Sequence, residues 1–196
     1  MPDRDHRVRA HFDDSTVVVY QAYSPHIADA AVTRQTLAVS GFKRDRMTWI
    51  KPSFLWMMCR SGWATKPGQE RVLAITITRE GFDWGLERGV LSQFDATVHG
   101  SHEAWKRALA EAPVRIQWDP DRDFHLERLE RRAVQIGLAG DAVERYLGEW
   151  IRYIEDITEM CRGIKSAADA GDETRAPSLL PEEQNYPRYS SDGETV

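Results

Sequence analysis

The sequence predicts a single α+β domain with a mixed, mostly antiparallel sheet, a buried central helix and a long C-terminal covering helix. Three observations lead there. Short β-branched runs alternate with helical runs along the chain, the pattern of helices packed on one sheet rather than of a bundle. The stretch Met47 to Trp63, MTWIKPSFLWMMCRSGW, gathers Trp49, Phe54, Trp56 and Trp63 with Met47, Met57 and Met58, and a helix apolar on every side must be covered all round. With 196 residues, 41% of them apolar, the chain can bury one good core, and a second full domain would be cramped.

Taken in order, Thr16 to Tyr23, TVVVYQAY, is β-branched and aromatic and forms the first strand. Ser24-Pro25 then starts a helix over His26 to Ala38, with Pro at the first helical position, and Gly41 ends the unit. Met47 to Lys51 suits a strand, and Pro52 fits the first turn of the central helix, which Ser61-Gly62 closes. Thr65 to Gly68 is a turn, and Arg71 to Thr78 alternates as a half-buried strand. Gly81 to Gly89 is a short helical turn, and a mixed stretch follows to Val98. Ser101 caps a helix from His102 to Glu111 that Pro113 stops, and Val114 to Trp118 is a short strand. Arg131 to Leu138 reads as a strand because Gly137 and Gly140 disfavour a helix. Asp141 caps the longest helix, in which Val143, Leu147, Trp150, Ile154, Ile157, Cys161 and Ile164 recur at spacings of three and four. Residues 1–168 thus form the globular domain. Residues 169–196, rich in Pro, Glu, Ser and Gly, form a poorly ordered tail, in which Leu179, Leu180, Tyr186 and Tyr189 could dock in part.

The net charge is −5, which argues against a general nucleic-acid coat, yet the charge is unevenly spread. From Arg34 to Arg79 nine Lys or Arg stand against Asp45 and Glu70, a net of +7, whereas residues 80 to 196 sum to −10. A local anion-attracting face on an acidic protein follows, unless the acidic half balances these charges on a solvated surface. No run approaches 18 apolar residues and the charged start lacks a signal-peptide core, so a soluble, cytoplasmic protein without a membrane partner is expected. Cys59 and Cys161 are expected to be reduced core residues.

The familiar chemical motifs are missing. No GxGxxG, GxxxxGK[ST] or GxSxG occurs, which closes the common dinucleotide, P-loop and hydrolase routes. His102-Glu103 opens like HExxH, but Lys106 stands where the second His belongs. Asp119, Asp121, Asp123 and Glu130 fit a calcium-loop count, but Phe124 occupies the place of the turn glycine. Asp-Pro turn chemistry explains the run better, and no metal is expected. Trp56 and Trp150, beside Met and Leu at helical spacing, read as core rather than as stacking platforms for bases.

What remains is a convergence of polar groups at strand and helix ends. Gln21 and Tyr23 end the first strand, His26 starts the helix after it, Lys51 and Ser53 mark the next strand-to-helix junction, and Arg60 ends the central helix. If the two strands are neighbours, these residues face one crevice suited to phosphate or carboxylate. The competing reading, of equal weight, has Lys51 and Arg60 lying along the buried helix and pairing with surface acids.

The stretches VYQAYSPHIADAA, RMTWIKPSFLWMMCRSGWA and QERVLAITITREGF resemble a family known as domain of unknown function four-two-nine-one. The likeness continues through WDPDRD and RRAVQIGL to near Asp156. It places Gln21, Lys51, Ser53 and Arg60 in the family signature and brings no activity with it. The order strand, helix, strand, helix, strand from Val17 to Thr78 also resembles ADP-ribosyltransferases, compact α+β domains that split NAD. That resemblance implies a nucleotide-binding transferase with NAD as ligand and Glu70, in GQERVL, as its catalytic carboxylate. Neither a His-Gly-Thr nor a Ser-Thr-Ser triplet is present. The alternative is a non-catalytic module that binds phosphate or nucleic-acid backbone on the basic face of residues 34–79.

Overall fold

A computed structural model describes residues 6–187 of the chain, and its two main sheets are built from the β-branched runs. The short strand β1 (Arg9–Ala10) leads into β2 (Thr16–Tyr23), helix α1 (Pro25–Arg34), β3 (Thr48–Ile50), α2 (Phe54–Ser61) and β4 (Arg71–Thr78). There follow α3 (Arg79–Glu87), β5 (Gly89–Leu91), α4 (Ala96–His99), α5 (His102–Glu111), β6 (Val114–Arg122) and β7 (Arg128–Leu138). The chain continues with α6 (Asp141–Arg145), a π-turn over Tyr146–Trp150, β8 (Ile151–Asp156), α7 (Thr158–Asp169), α8 (Arg175–Ser178) and β9 (Gln184–Asn185).

Strands β2, β4 and β8 form one antiparallel sheet in that order. Strands β3, β7, β6 and β5 form the other, in which β5 alone runs parallel to its neighbour β6. Among the described residues one backbone bridge joins the sheets: Tyr20 N–H donates to Lys51 O at 2.7 Å, and Lys51 N–H returns to Tyr20 O at 3.3 Å. Side chains alternate along each strand, so one sheet buries two cores. Val17, Val19, Leu73, Ile75, Ile50, Ile136 and Leu138 pack with α1, α3 and Trp150 on one side. Tyr20 and Val72 pack on the other against Phe54, Met57 and Met58 of α2 and Cys161 and Ile164 of α7. The predicted α+β class, single domain and mostly antiparallel mixed sheet are observed, and the central helix is buried apart from Leu55, Cys59 and Arg60 on its outer side.

Several expected boundaries move, each for an identifiable reason. The long C-terminal helix is broken: residues 151–156 pair with β4, Ile154 lying opposite Ile75. A buried β-branched residue paired across to β4 outweighs local helical periodicity. Helix α1 stops at Gln35, which takes φ 54°, rather than running to Ala38. Its side-chain amide then serves the outer edge of β8, with Nε2 donating to Ile154 O and Oε1 accepting from Ile154 N, both at 2.8 Å. Pro52 lies before the α2 cap, which is Ser53. The run Asp119-Pro120-Asp121 lies within β6 rather than in a turn. Gly137 is required by packing, because a Cβ there would meet Met47 Sδ at 2.6 Å and the Trp49 ring at 3.0 Å.

The expected tail also differs over its described part. Strand β9 pairs with β1, and Tyr186 N–H donates to Val8 O at 2.8 Å. The Tyr186 ring is buried edge-on to Phe12 and Phe82, with its hydroxyl donating to Asp83 at 2.6 Å. Tyr189 lies outside the described residues. None of the described helices is long and apolar enough to cross a membrane.

Candidate anion-binding site

Beyond the Tyr20 and Lys51 bridge no further backbone ladder joins β2 to β3 among the described residues, and a cavity of about 190 Å³ lies at this seam. Its wall includes Gln21 and Tyr23 from the end of β2, Thr48 and Trp49 from β3, Lys51, Arg60 from the end of α2, and Gln69 just before β4. Four of the six expected ligand residues, Gln21, Tyr23, Lys51 and Arg60, therefore stand around one space. The neighbouring of the two strands, on which that expectation turned, is made by the bridge.

Gln21 is locked in place. Its Nε2 donates to Thr48 Oγ1 at 2.7 Å and to Trp49 O at 3.2 Å, and its Oε1 accepts from the buried Tyr146 hydroxyl at 2.8 Å. Burial holds the Tyr146 phenol protonated, with the Tyr23 ring as a second influence in the same direction. Tyr23 differs: its hydroxyl is buried without a hydrogen-bond partner, and burial raises its pKa, slightly opposed by the Thr48 hydroxyl.

Lys51 is 7% exposed, and its Nζ makes one hydrogen bond, to Trp49 O at 3.2 Å. Burial, and then the positive charge of Arg60, lower its pKa to about 8, against a weaker pull from Asp119. Asp119 itself is tied to the amides of Gln117 and Gln135, the latter at 2.8 Å. Among the described residues no ion pair engages Lys51 or Arg60. The reading in which both pair with surface acids loses its premise.

The remaining candidates sit elsewhere. Ser53 is the N-cap of α2; its hydroxyl accepts from Trp56 N–H and donates to the buried Asp121, each at 3.4 Å. His26 is exposed on the first turn of α1. At the start of α2, Phe54 N–H donates to Glu183 Oε1 at 2.7 Å. Glu70 lies next to the lining residue Gln69; its Oε1 accepts from Gly68 N–H at 2.9 Å, and its Oε2 is buried without a partner.

A family model described as domain of unknown function (DUF4291) matches residues 7–186. The chain belongs to this family. The DUF4291 match covers every cavity-lining residue and runs on to Tyr186, so it takes in the strand pairing of β9 that sequence composition had assigned to a tail. No curated protein matches the chain. Sequence reasoning missed Gln69, Thr48 and Tyr146. The first two carried a signal, since Gln69 adjoins Glu70 and Thr48 lies in the expected strand that ends at Lys51. Tyr146 carried none, because its segment read as the middle of a helix. Among the described residues no group of three or more His, Cys, Asp or Glu could hold a metal ion.

Proposed function

We propose that the seam cavity binds the phosphate- or carboxylate-bearing end of a small molecule of nucleotide type, and that the chain acts on it as a transferase. The observation that carries this reading is the pair Lys51 and Arg60 in one cavity wall with no carboxylate ion-paired to either among the described residues. Two cations so placed repel, and a bound anion between them removes the repulsion and supplies charge-assisted hydrogen bonds. At about 190 Å³ the space is below the roughly 300–1,000 Å³ of drug-sized pockets. It suits a phosphate with an adjoining sugar, and an NAD-type ligand would leave its far half outside. In the transferase reading Glu70 is the carboxylate that stabilises positive charge developing on the sugar, as the likeness to ADP-ribosyltransferases suggests.

The basic segment 34–79 favours nucleic-acid backbone less than its charge count implies. Arg44 pairs with Glu144, Arg71 with Asp29 and Asp156, Arg79 with Tyr186, and Lys66 donates to the carbonyls of Cys59 and Arg60 at the end of α2. The exposed cations left over, Arg34, Lys43 and Arg46, are few for a continuous track. Thermal melts with inorganic phosphate, NAD or short RNA, repeated at rising salt, separate the two. Stabilisation by phosphate or NAD that responds modestly to salt supports the cavity. Stabilisation by RNA alone, collapsing steeply with salt, would transfer the function to the basic face.

A further inference from the structure

We propose that Lys51 forms a reversible imine with the carbonyl carbon of its ligand, an aldehyde or ketone that also carries a phosphate or carboxylate, such as the open-chain form of a sugar phosphate. This rests on the anion-site part of that reading alone, because Arg60 supplies the anchor for the charged end, and it takes the ligand to be an anionic carbonyl compound rather than an intact nucleotide.

The environment of Lys51 suits a nucleophile better than a structural cation. A buried ammonium ordinarily pairs with a carboxylate or fills its donors. Here one neutral carbonyl, Trp49 O, takes a single donor of Nζ, and that same carbonyl is shared with Gln21 Nε2. Desolvation beside a second cation is a known route to an amine that is partly neutral near physiological pH. With the Lys51 pKa lowered to about 8, on the order of a tenth of the side chain is free amine at pH 7. Tyr23 contributes the other half of the arrangement. Tyr23 lines the same cavity, and its buried hydroxyl meets no acceptor or donor at full hydrogen-bond geometry among the described residues, with the Thr48 hydroxyl as its neighbour; a small side-chain shift would let it donate to a carbonyl oxygen.

The step balances without an oxidant or reductant. The free pair of Lys51 Nζ bonds to the carbonyl carbon, and the π pair moves to oxygen, which takes one of the two protons of the attacking nitrogen. The carbinolamine then loses that oxygen as water as the nitrogen gives up its remaining proton, leaving the C=N bond. Amine plus carbonyl gives imine plus water, and hydrolysis reverses it.

Pyridoxal 5′-phosphate, which carries an aldehyde and a phosphate, is a suitable probe, with pyridoxal as the control lacking the anion. The full chain is incubated with each, reduced with borohydride and mapped by mass spectrometry. Lys43, Lys66, Lys106 and Lys165 serve as internal references. The proposal expects Lys51 to be labelled by the phosphate probe at least tenfold faster than those four. Inorganic phosphate should protect it. Arg60→Gln should slow labelling by the phosphate probe at least tenfold more than labelling by pyridoxal, which slows only through the rise in the Lys51 pKa when the Arg60 charge is lost. Lys51→Met, with Lys51→Arg as the charge-retaining variant in case Met disturbs folding, should remove the fast adduct. Labelling of Lys51 no faster than the references would overturn the imine. If phosphate still raised the melting temperature in that event, the anion site would stand without it; if phosphate neither stabilised nor protected, both would fall.

Discussion

Trp49 O is the atom on which the site is hinged, since it accepts from both Gln21 Nε2 and Lys51 Nζ. Lys51 sits there at a cost. Its folded pKa lies below the ordinary 10.5, so the fold disfavours the charged form: stability is lowest below about pH 8 and rises as pH climbs toward the unfolded value. Lys51→Met should therefore raise stability at pH 7 by about 1–3 kcal/mol, with the gain shrinking above pH 10. A melt of the variant that falls at pH 7 would show that the ammonium is structurally required. Tyr146→Phe should do the opposite, leaving Gln21 Oε1 buried without its donor at a cost of about 1–2 kcal/mol. Gly137→Ala should cost about 1–3 kcal/mol, because Met47 and Trp49 occupy the place of a side chain. Gln21, Tyr23, Lys51 and Arg60 were legible in the sequence because each ends a strand or helix whose limits its own pattern marks. Ser53 and His26 share that position in the chain but not in space: Ser53 turns to cap α2 and meet Asp121, and His26 faces solvent.

At the scale of elements, strands β2 and β4 and helix α5 could be read directly, because period and caps agree there with the tertiary structure. Strand β8 could not. Its apolar spacing of three and four is shared with a helix, and what decides the matter is the open edge of β4, a feature no local window contains. Strand β9 was hidden for a related reason, since two residues become a strand only where β1 offers an edge. Its neighbour Glu183 gives it a measurable signature. Burial, with a further push from Asp121, raises the Glu183 carboxyl to about 7, while the hydrogen bond from Phe54 N–H and the charges of Arg9 and Arg131 oppose this; Tyr20 is the remaining titratable neighbour. A raised acid contributes stability that is fully present below its unfolded pKa and lost as pH rises through the folded value. Stability should thus decline by about 1–2 kcal/mol between pH 4.5 and 7.5 through this group, and Glu183→Gln should flatten that slope. An unchanged slope in the variant would assign the pH dependence to other carboxylates.

For the whole molecule, two sheets held by one bridge leave a wedge, and the basic segment supplies the cations that line it. The uneven charge was visible in the sequence, but which cations stay unpaired was not: Arg44 and Arg71 acquire carboxylates from distant parts of the chain, and Lys66 turns back onto the carbonyls of Cys59 and Arg60. The C-terminal segment pairs with β1 and reaches the start of α2 through Glu183. Removal of residues 170–196 takes away β9, the buried Ala176 and the Tyr186 ring, and should lower the melting temperature by about 10 °C, several kcal/mol. A shift within about 2 °C would mean that the segment adds little to the fold. The central claim, that Lys51 and Arg60 together hold an anion in the seam, is tested most directly by calorimetric titration of wild type, Lys51→Met and Arg60→Gln with inorganic phosphate and with NAD. The account predicts a folded protein in each case, with binding weakened about ten- to hundredfold in both variants, or 1.5–3 kcal/mol. Equal affinity in all three would contradict it.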